Sequence, residues 1–246
     1  MSKQRLEAFS DGVFAIVITL LILDIGIPDV SPIALGAALV NIVPQVLTYI
    51  LSFFIVGLYW HLHHQVSAQI KLIDEPFIWL NLVWLLFVSM LPFPTALLGR
   101  YPLQPIPLTI YGINLILVNV TGFVILVYFQ RRPALRFTPM SAAELRGIAP
   151  IYVMVNGLYL VAIGAAWFFP WLSYGIYIFV LLWVIARSIR RISPAIQTIK
   201  VMDKSAAPYS PAACAGAYPQ GAARSQTVRW SQPEESYDDP SSPGNP

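Results

Sequence analysis

Arg5, Ser10, Asp11, Thr19 and Asp24 are set into the apolar stretch that runs from Arg5 to Ile27, and these are residue types that handle ions and protons. A carboxylate in such a setting can attract a cation, relay a proton or anchor its helix to a neighbour. Ionisable groups cost at least ~2.5 kcal/mol near a bilayer centre, so they face a bundle interior, a partner or water rather than lipid. His61, His63 and His64 form a second cluster, H-x-H-H after Trp60. Imidazole titrates near neutrality, so a pairing with Asp11 would be pH-sensitive; plain interfacial histidines are the other reading. A metal site is disfavoured because no acidic ligand supports that spacing. No G-x-x-x-x-G-K-S/T or H-E-x-x-H occurs, and no serine or cysteine stands at base spacing. Cys214 is the only cysteine, so neither a disulfide framework nor a cysteine metal site is open to the chain. The expectation is a protein without catalytic residues or cofactor.

The elements that must hold these residues are membrane helices. The 246 residues are 57% hydrophobic and 11% charged, with mean hydropathy +0.66, against about 25% charged in a soluble domain. Six apolar blocks are expected: Leu6 to Ile27; about Ile33 to Trp60, with a kink at Pro44; Asp74-Glu75-Pro76 to about Leu98; about Leu108 to Phe129; Ile148 to Phe169; and Leu172 to Ile192. The first is too long for a signal peptide and lacks an A-x-A-like end, so it reads as a retained helix. Only Pro170 and its neighbours separate the last two blocks, which predicts a tight antiparallel hairpin. Lys71, Arg131, Arg132, Arg136 and Arg146 share one side with the termini, whereas Arg100 stands alone on the other. By the positive-inside rule both termini are cytoplasmic in an inner membrane. Tyr49, Tyr59, Trp60, Tyr101, Trp167, Trp171 and Tyr174 fall near block ends, as interfacial belts do. Residues 1–200 form the membrane domain and 201–246, rich in Pro, Ser, Ala and Gly, a disordered cytoplasmic tail. Basic residues lying between apolar blocks argue for membrane orientation and against nucleic-acid binding.

At 100° per residue, Phe9, Ile16, Leu20, Leu23 and Ile27 fall within roughly 60° of one another, bordered by Gly12 and Thr19. Asp11 lies about 140° from Ile16, and Asp24 about 80°. The stripe is either ordinary helix packing or the lining of a pore. Asp24, with Asp29 near it, is either a solvated helix end or a cation-attracting mouth.

Arg5-x-x-x-Phe9-Ser10-Asp11 followed by G-V-F-A-I-V-I-T-L-L-I-L resembles the first-helix signature of the transmembrane protein 175 family, lysosomal and bacterial potassium channels without the usual filter loop. N-L-V-W-L-L-F-V-S-M-L-P-F-P-T-A-L-L-G, from Asn81 to Gly99, is similar to that family's third-helix segment. The resemblance covers residues 5 to 99 and implies an all-α membrane protein of six transmembrane helices per subunit. It implies a homotetramer around a central pore lined by the first helix. The filter sequence T-V-G-Y-G is absent. The resemblance puts the constriction at Ile16, Leu20 and Leu23, a hydroxyl layer at Thr19, and a structural network at Arg5, Phe9, Ser10 and Asp11. Rings of branched apolar side chains offer a cation no ligand, so a narrow ring closes by dewetting and a widened one admits a partly hydrated ion. The expected function is moderately selective, passive K⁺ conduction, with K⁺ and membrane lipids as partners. The alternative is a proton-permeable relative or a secondary transporter that uses Asp11 and His61 to His64 as a proton relay.

Overall fold

The computed structural model describes residues 2–26, 29–138 and 141–205, with side chains through residue 190. The chain divides into Met1–Ala195, which carries the packed bundle, and Ile196–Pro246, of which 196–205 are described and helical. The remaining residues of the expected tail, and Ile27 at the end of the stripe, lie outside the described residues.

The bundle is all-helical: α1 Lys3–Leu23, α2 Leu35–Asn41, α3 Val43–Ala68, α4 Glu75–Ser89, α5 Pro92–Arg100, α6 Pro105–Arg131, α7 Ala142–Ala166 and α8 Pro170–Ser205. Among the described residues six segments are long and apolar enough to cross a bilayer, α4 and α5 counting together as Glu75–Arg100. Each start has a local cause. The Ser2 side chain accepts from the Arg5 amide, and the Asp74 side chain accepts from that of Phe77. Ser141 and Glu144 form a reciprocal capping box at α7. Prolines open α3, α4, α5 and α6, where a missing amide hydrogen leaves no bond unmade.

One expectation about proline needs correction, and a helix break falls where none was expected. Pro44 does not kink a long helix, because the second block is divided at Ile42 into the short α2 and the spanning α3, and Pro44 stands in the first turn of the latter. The third block breaks between Ser89 and Pro92. Pro92 has no amide hydrogen, and the Leu91 amide turns to the Val88 carbonyl at 3.1 Å instead of that of Phe87. The Phe87 carbonyl left over is taken by Asn114 Nδ2 of α6 at 3.1 Å.

The core lies where α1, α3, α4, α5 and α6 meet, with α7 packed along α6. Hydrogen bonds run between helices at membrane depth, where each unpaired polar group would be costly. Thr95 of α5 donates to Ser52 of α3 at 2.8 Å, and Ser52 pairs with the Tyr111 hydroxyl of α6 at 3.0 Å. Trp84 of α4 donates to the Val118 carbonyl of α6 at 3.0 Å. Tyr59, expected in an interfacial belt, is buried instead and accepts from Asn119 at 3.0 Å. Tyr177 of α8 packs against Tyr159 of α7 and Tyr111 of α6, and its hydroxyl donates to the Leu108 carbonyl at 2.8 Å. At Gly112 an added Cβ would stand 2.5 Å from that hydroxyl, so the α6–α8 approach requires glycine there.

Candidate functional site on the first helix

The sequence of α1 gives it two faces. Leu6, Ser10, Phe14, Val17 and Leu21 recur at helical spacing and are buried against α3, α4 and α5. The Phe14 ring sits 5.6 Å from the Trp84 ring and 5.9 Å from His63. His63 and Trp84 stack almost parallel, 5.0 Å apart with 9° between their planes. This cluster of α1, α3 and α4 fixes how far the first helix stands from its neighbours and how it is rotated.

A directional chain of hydrogen bonds reinforces it. The Ser10 hydroxyl donates to the Leu6 carbonyl at 2.9 Å, so Ser10 Oγ remains an acceptor and receives Asn81 Nδ2 at 3.1 Å. Asn81 therefore turns its Oδ1 to His63 Nε2, 3.0 Å away, and the imidazole must carry its proton on that nitrogen. Asn81 and Ser10 are almost completely buried. At the edge of the helix, Trp60 Nε1 of α3 donates to Asp11 Oδ1 at 3.0 Å. Asp11 itself remains exposed.

The three histidines part company. His63 is bonded to Asn81, His61 lies 2.7 Å from Gln65 Nε2 one turn on, and His64 stacks on Trp60. Asp11 is bound by Trp60 rather than by an imidazole. No group of three metal-ligating side chains exists among the described residues. Of the four residues expected to form a network, Ser10 and Asp11 make side-chain bonds to other helices. Arg5 and Phe9 are exposed, and Arg5 takes part through its backbone at the N-cap. Asn81, Trp84 and Trp60 complete the arrangement. Asn81 and Trp84 fall inside the third-helix segment, and an asparagine amid apolar residues was the signal that could have found the first of them.

The opposite face of α1 is turned out of the subunit. Ile16 is 60% exposed, Leu20 43% and Leu23 74%, and Phe9, Gly12 and Thr19 are exposed with them. The Thr19 hydroxyl is occupied within its own helix, 2.9 Å from the Ile16 carbonyl and 3.0 Å from that of Ala15. Asp24 caps the helix through its backbone and flanks a small crevice with Gln45, Tyr49 and Gly99 of α3 and α5, so it stands between the outward face and its own subunit. Chemically, this face offers branched hydrocarbon, a hydroxyl oxygen and a carboxylate at its end. It has no nucleophile with a base and no ligand set for a bound metal.

Comparison with known proteins places this arrangement. Residues 5–92 match the family described as endosomal/lysosomal potassium channel TMEM175. A protein named as a potassium channel in Chryseobacterium sp. is 34% identical over 186 residues, 75% of this chain and 94% of that one. The endosomal/lysosomal proton channel TMEM175 of Bos taurus is 42% identical over 114 residues, 43% of this chain and 24% of that much longer one. The crystal structure of a lysosomal potassium-selective channel TMEM175 homolog from Chamaesiphon minutus superposes with a TM-score of 0.66 at 30% identity, over 76% of this chain and 97% of that one. Six apolar helices, a first helix anchored on one side and open on the other, and likeness over nearly the whole length of these bacterial proteins lead to one statement: the chain belongs to the TMEM175 channel family.

Proposed function

We propose that the chain assembles as a homotetramer around its first helices and conducts K⁺ passively, with Ile16, Leu20 and Leu23 as stacked constrictions and Thr19 as a hydroxyl layer between them. The observation that carries this reading is the two-faced first helix. Leu6, Phe14, Val17 and Leu21 are buried in the subunit while the constriction residues stay exposed to whatever lies beyond it. Four copies facing one another would make rings of hydrocarbon too narrow and too dry for a hydrated cation. Widening by rotation or splaying of α1 would admit a partly hydrated ion, favouring K⁺ over Na⁺ moderately through its lower dehydration cost. The His63–Asn81–Ser10 chain and the Trp60–Asp11 bond then hold the helix at its working rotation, and Asp24 draws cations to one mouth. K⁺ is the permeant ion and no cofactor takes part; the activity is transport rather than catalysis. Both termini face the cytoplasm and the chain resides in the cell membrane, as its basic residues direct.

Proton permeation is the second reading, supported by the name of the Bos taurus relative and by an imidazole, His63, held in a hydrogen-bond chain inside the subunit. Reversal potentials of the purified protein in liposomes under K⁺, Na⁺ and H⁺ gradients decide between them. Reversal near the K⁺ potential is expected. Reversal that follows the proton gradient would support the second reading, and fixed coupling of K⁺ to H⁺ would reject the channel for a transporter.

A further inference from the structure

Away from α1, a half-open cavity of about 240 Å³ lies between α3, α6, α7 and α8. It occupies the end of the bundle where α3 and α6 finish and α7 begins. Leu62, Leu126, Ile151 and Val155 wall it with hydrocarbon, and Arg136 and Arg187 stand at its edge.

Both arginines are built in. An antiparallel bridge pairs Ile70 with Arg136, the Lys71 amide donates to the Leu135 carbonyl at 2.7 Å, and the Phe137 amide donates to that of Gln69 at 3.0 Å. The connection after α6 is thereby pinned onto the one after α3, with Arg136 over the cavity. Partial burial pulls its guanidinium below the ordinary arginine value, opposed by the charge of Glu144. Arg187 lies 5.6 Å from the Trp183 ring, and its buried Nε has no hydrogen-bond partner among the described residues. Among those residues the one salt bridge is Lys3–Glu7: Glu144 acts on Arg136 from beyond ion-pair distance, and Arg187 forms no ion pair with a described residue. Two partly buried cations, neither ion-paired among the described residues, thus line an apolar cavity in a membrane protein.

We propose that this cavity holds an acyl chain of an anionic phospholipid whose phosphodiester sits on Arg136 and Arg187. Guanidinium forks match phosphate oxygens in pairs, and basic pockets between membrane helices at the cytoplasmic side suit anionic headgroups. A soluble anion would satisfy the arginines but leave the hydrocarbon walls unfilled. The bilayer supplies charge and chain in one molecule.

The test is lipid retention, which does not depend on ion conduction. Full-length protein in mild detergent is incubated with phosphatidylglycerol or phosphatidylcholine of matched chains and weighed by native mass spectrometry. Wild type should retain phosphatidylglycerol over phosphatidylcholine by about fivefold or more. Arg136→Gln with Arg187→Gln should abolish that preference, and Leu62→Trp, which narrows the chain site while leaving both charges, should lower phosphatidylglycerol retention as much. Equal retention of both lipids by wild type would overturn the proposal. So would an undiminished preference in either correctly assembled variant, or displacement of the lipid by millimolar inorganic phosphate, which would make this a site for a free anion.

Discussion

α1 and α7 each turn one face out of the subunit, and the two faces differ in kind. From Ile148 onward the exposed residues of α7 are Pro150, Val153, Met154, Leu160, Val161 and Gly164, all apolar. The exposed face of α1 carries Arg5, Asp11, Gly12 and Thr19 among its apolar residues. Hydrocarbon chains pack against the first kind of face without cost. Against the second they would strand a carboxylate and a hydroxyl at a depth where ionisable groups normally face protein or water. Hydropathy alone does not separate them, since both helices pass as membrane spans. The placement of a few polar groups around the helix does.

The hardest test of that difference uses glycine. Gly12 on α1 and Gly164 on α7 both have open space where a Cβ would go. If the α1 face meets other subunits, Gly12→Leu should abolish the native oligomer, because small residues let membrane helices approach closely. Gly164→Leu, on the apolar face of α7, should leave it intact. Cross-linking or native mass spectrometry reads the outcome; oligomers of equal size in both variants would break the comparison.

Polarity gives the next effect. Ile16→Asn should wet the constriction and raise K⁺ flux about tenfold in liposomes, since a hydrophobic gate closes by dewetting. Leu160→Asn, the matching change on α7, should leave flux unchanged. A smaller change is expected at the mouth. Asp24→Asn should lower K⁺ current about twofold at low ionic strength and leave it nearly unaltered at high salt, because screening removes the attraction. Partial burial raises the Asp24 carboxyl above its ordinary value. Its charge, and with it the enhancement, is therefore lost at a higher pH on acidification than a free aspartate would lose it. A current that does not depend on Asp24 at any salt concentration would assign this residue to helix capping alone.

Much of this was legible in the order of residues. The six spans follow from apolar runs, and the stripe of α1 from the helical period; of the residues it groups, Phe9, Ile16, Leu20 and Leu23 are exposed. The division of α4 from α5 was hidden, because Pro92 sits in an apolar run and hydropathy does not register which carbonyl has lost its donor. The role of His63 was hidden for another reason. Its partners Asn81 and Trp84 lie on a different helix, and only the packing of α3 against α4 reveals which member of an H-x-H-H run is tied to its neighbour. Trp60, expected in an interfacial belt by position, donates to Asp11 across to α1. A single tryptophan can satisfy both demands, and no periodicity distinguishes them.

The smallest expected effect concerns that bond. The buried tie through Asn81 joins three side chains, whereas Trp60 holds Asp11 at the exposed edge of α1, where water competes for the carboxylate. Interhelical hydrogen bonds in membranes average about 0.6 kcal/mol, so Trp60→Phe, which keeps the ring and removes the donor, should shift stability by no more than about 1 kcal/mol. Its effect should appear instead in the position of α1: a change in K⁺ flux of less than about twofold, with oligomer size unaltered, reproduced by Asp11→Ala, which removes the acceptor, and not increased when both changes are combined. That last condition carries the argument. Two residues acting through one bond cannot be broken twice, so a double variant with the product of the single effects would mean that Asp11 serves the ion directly and Trp60 does something else.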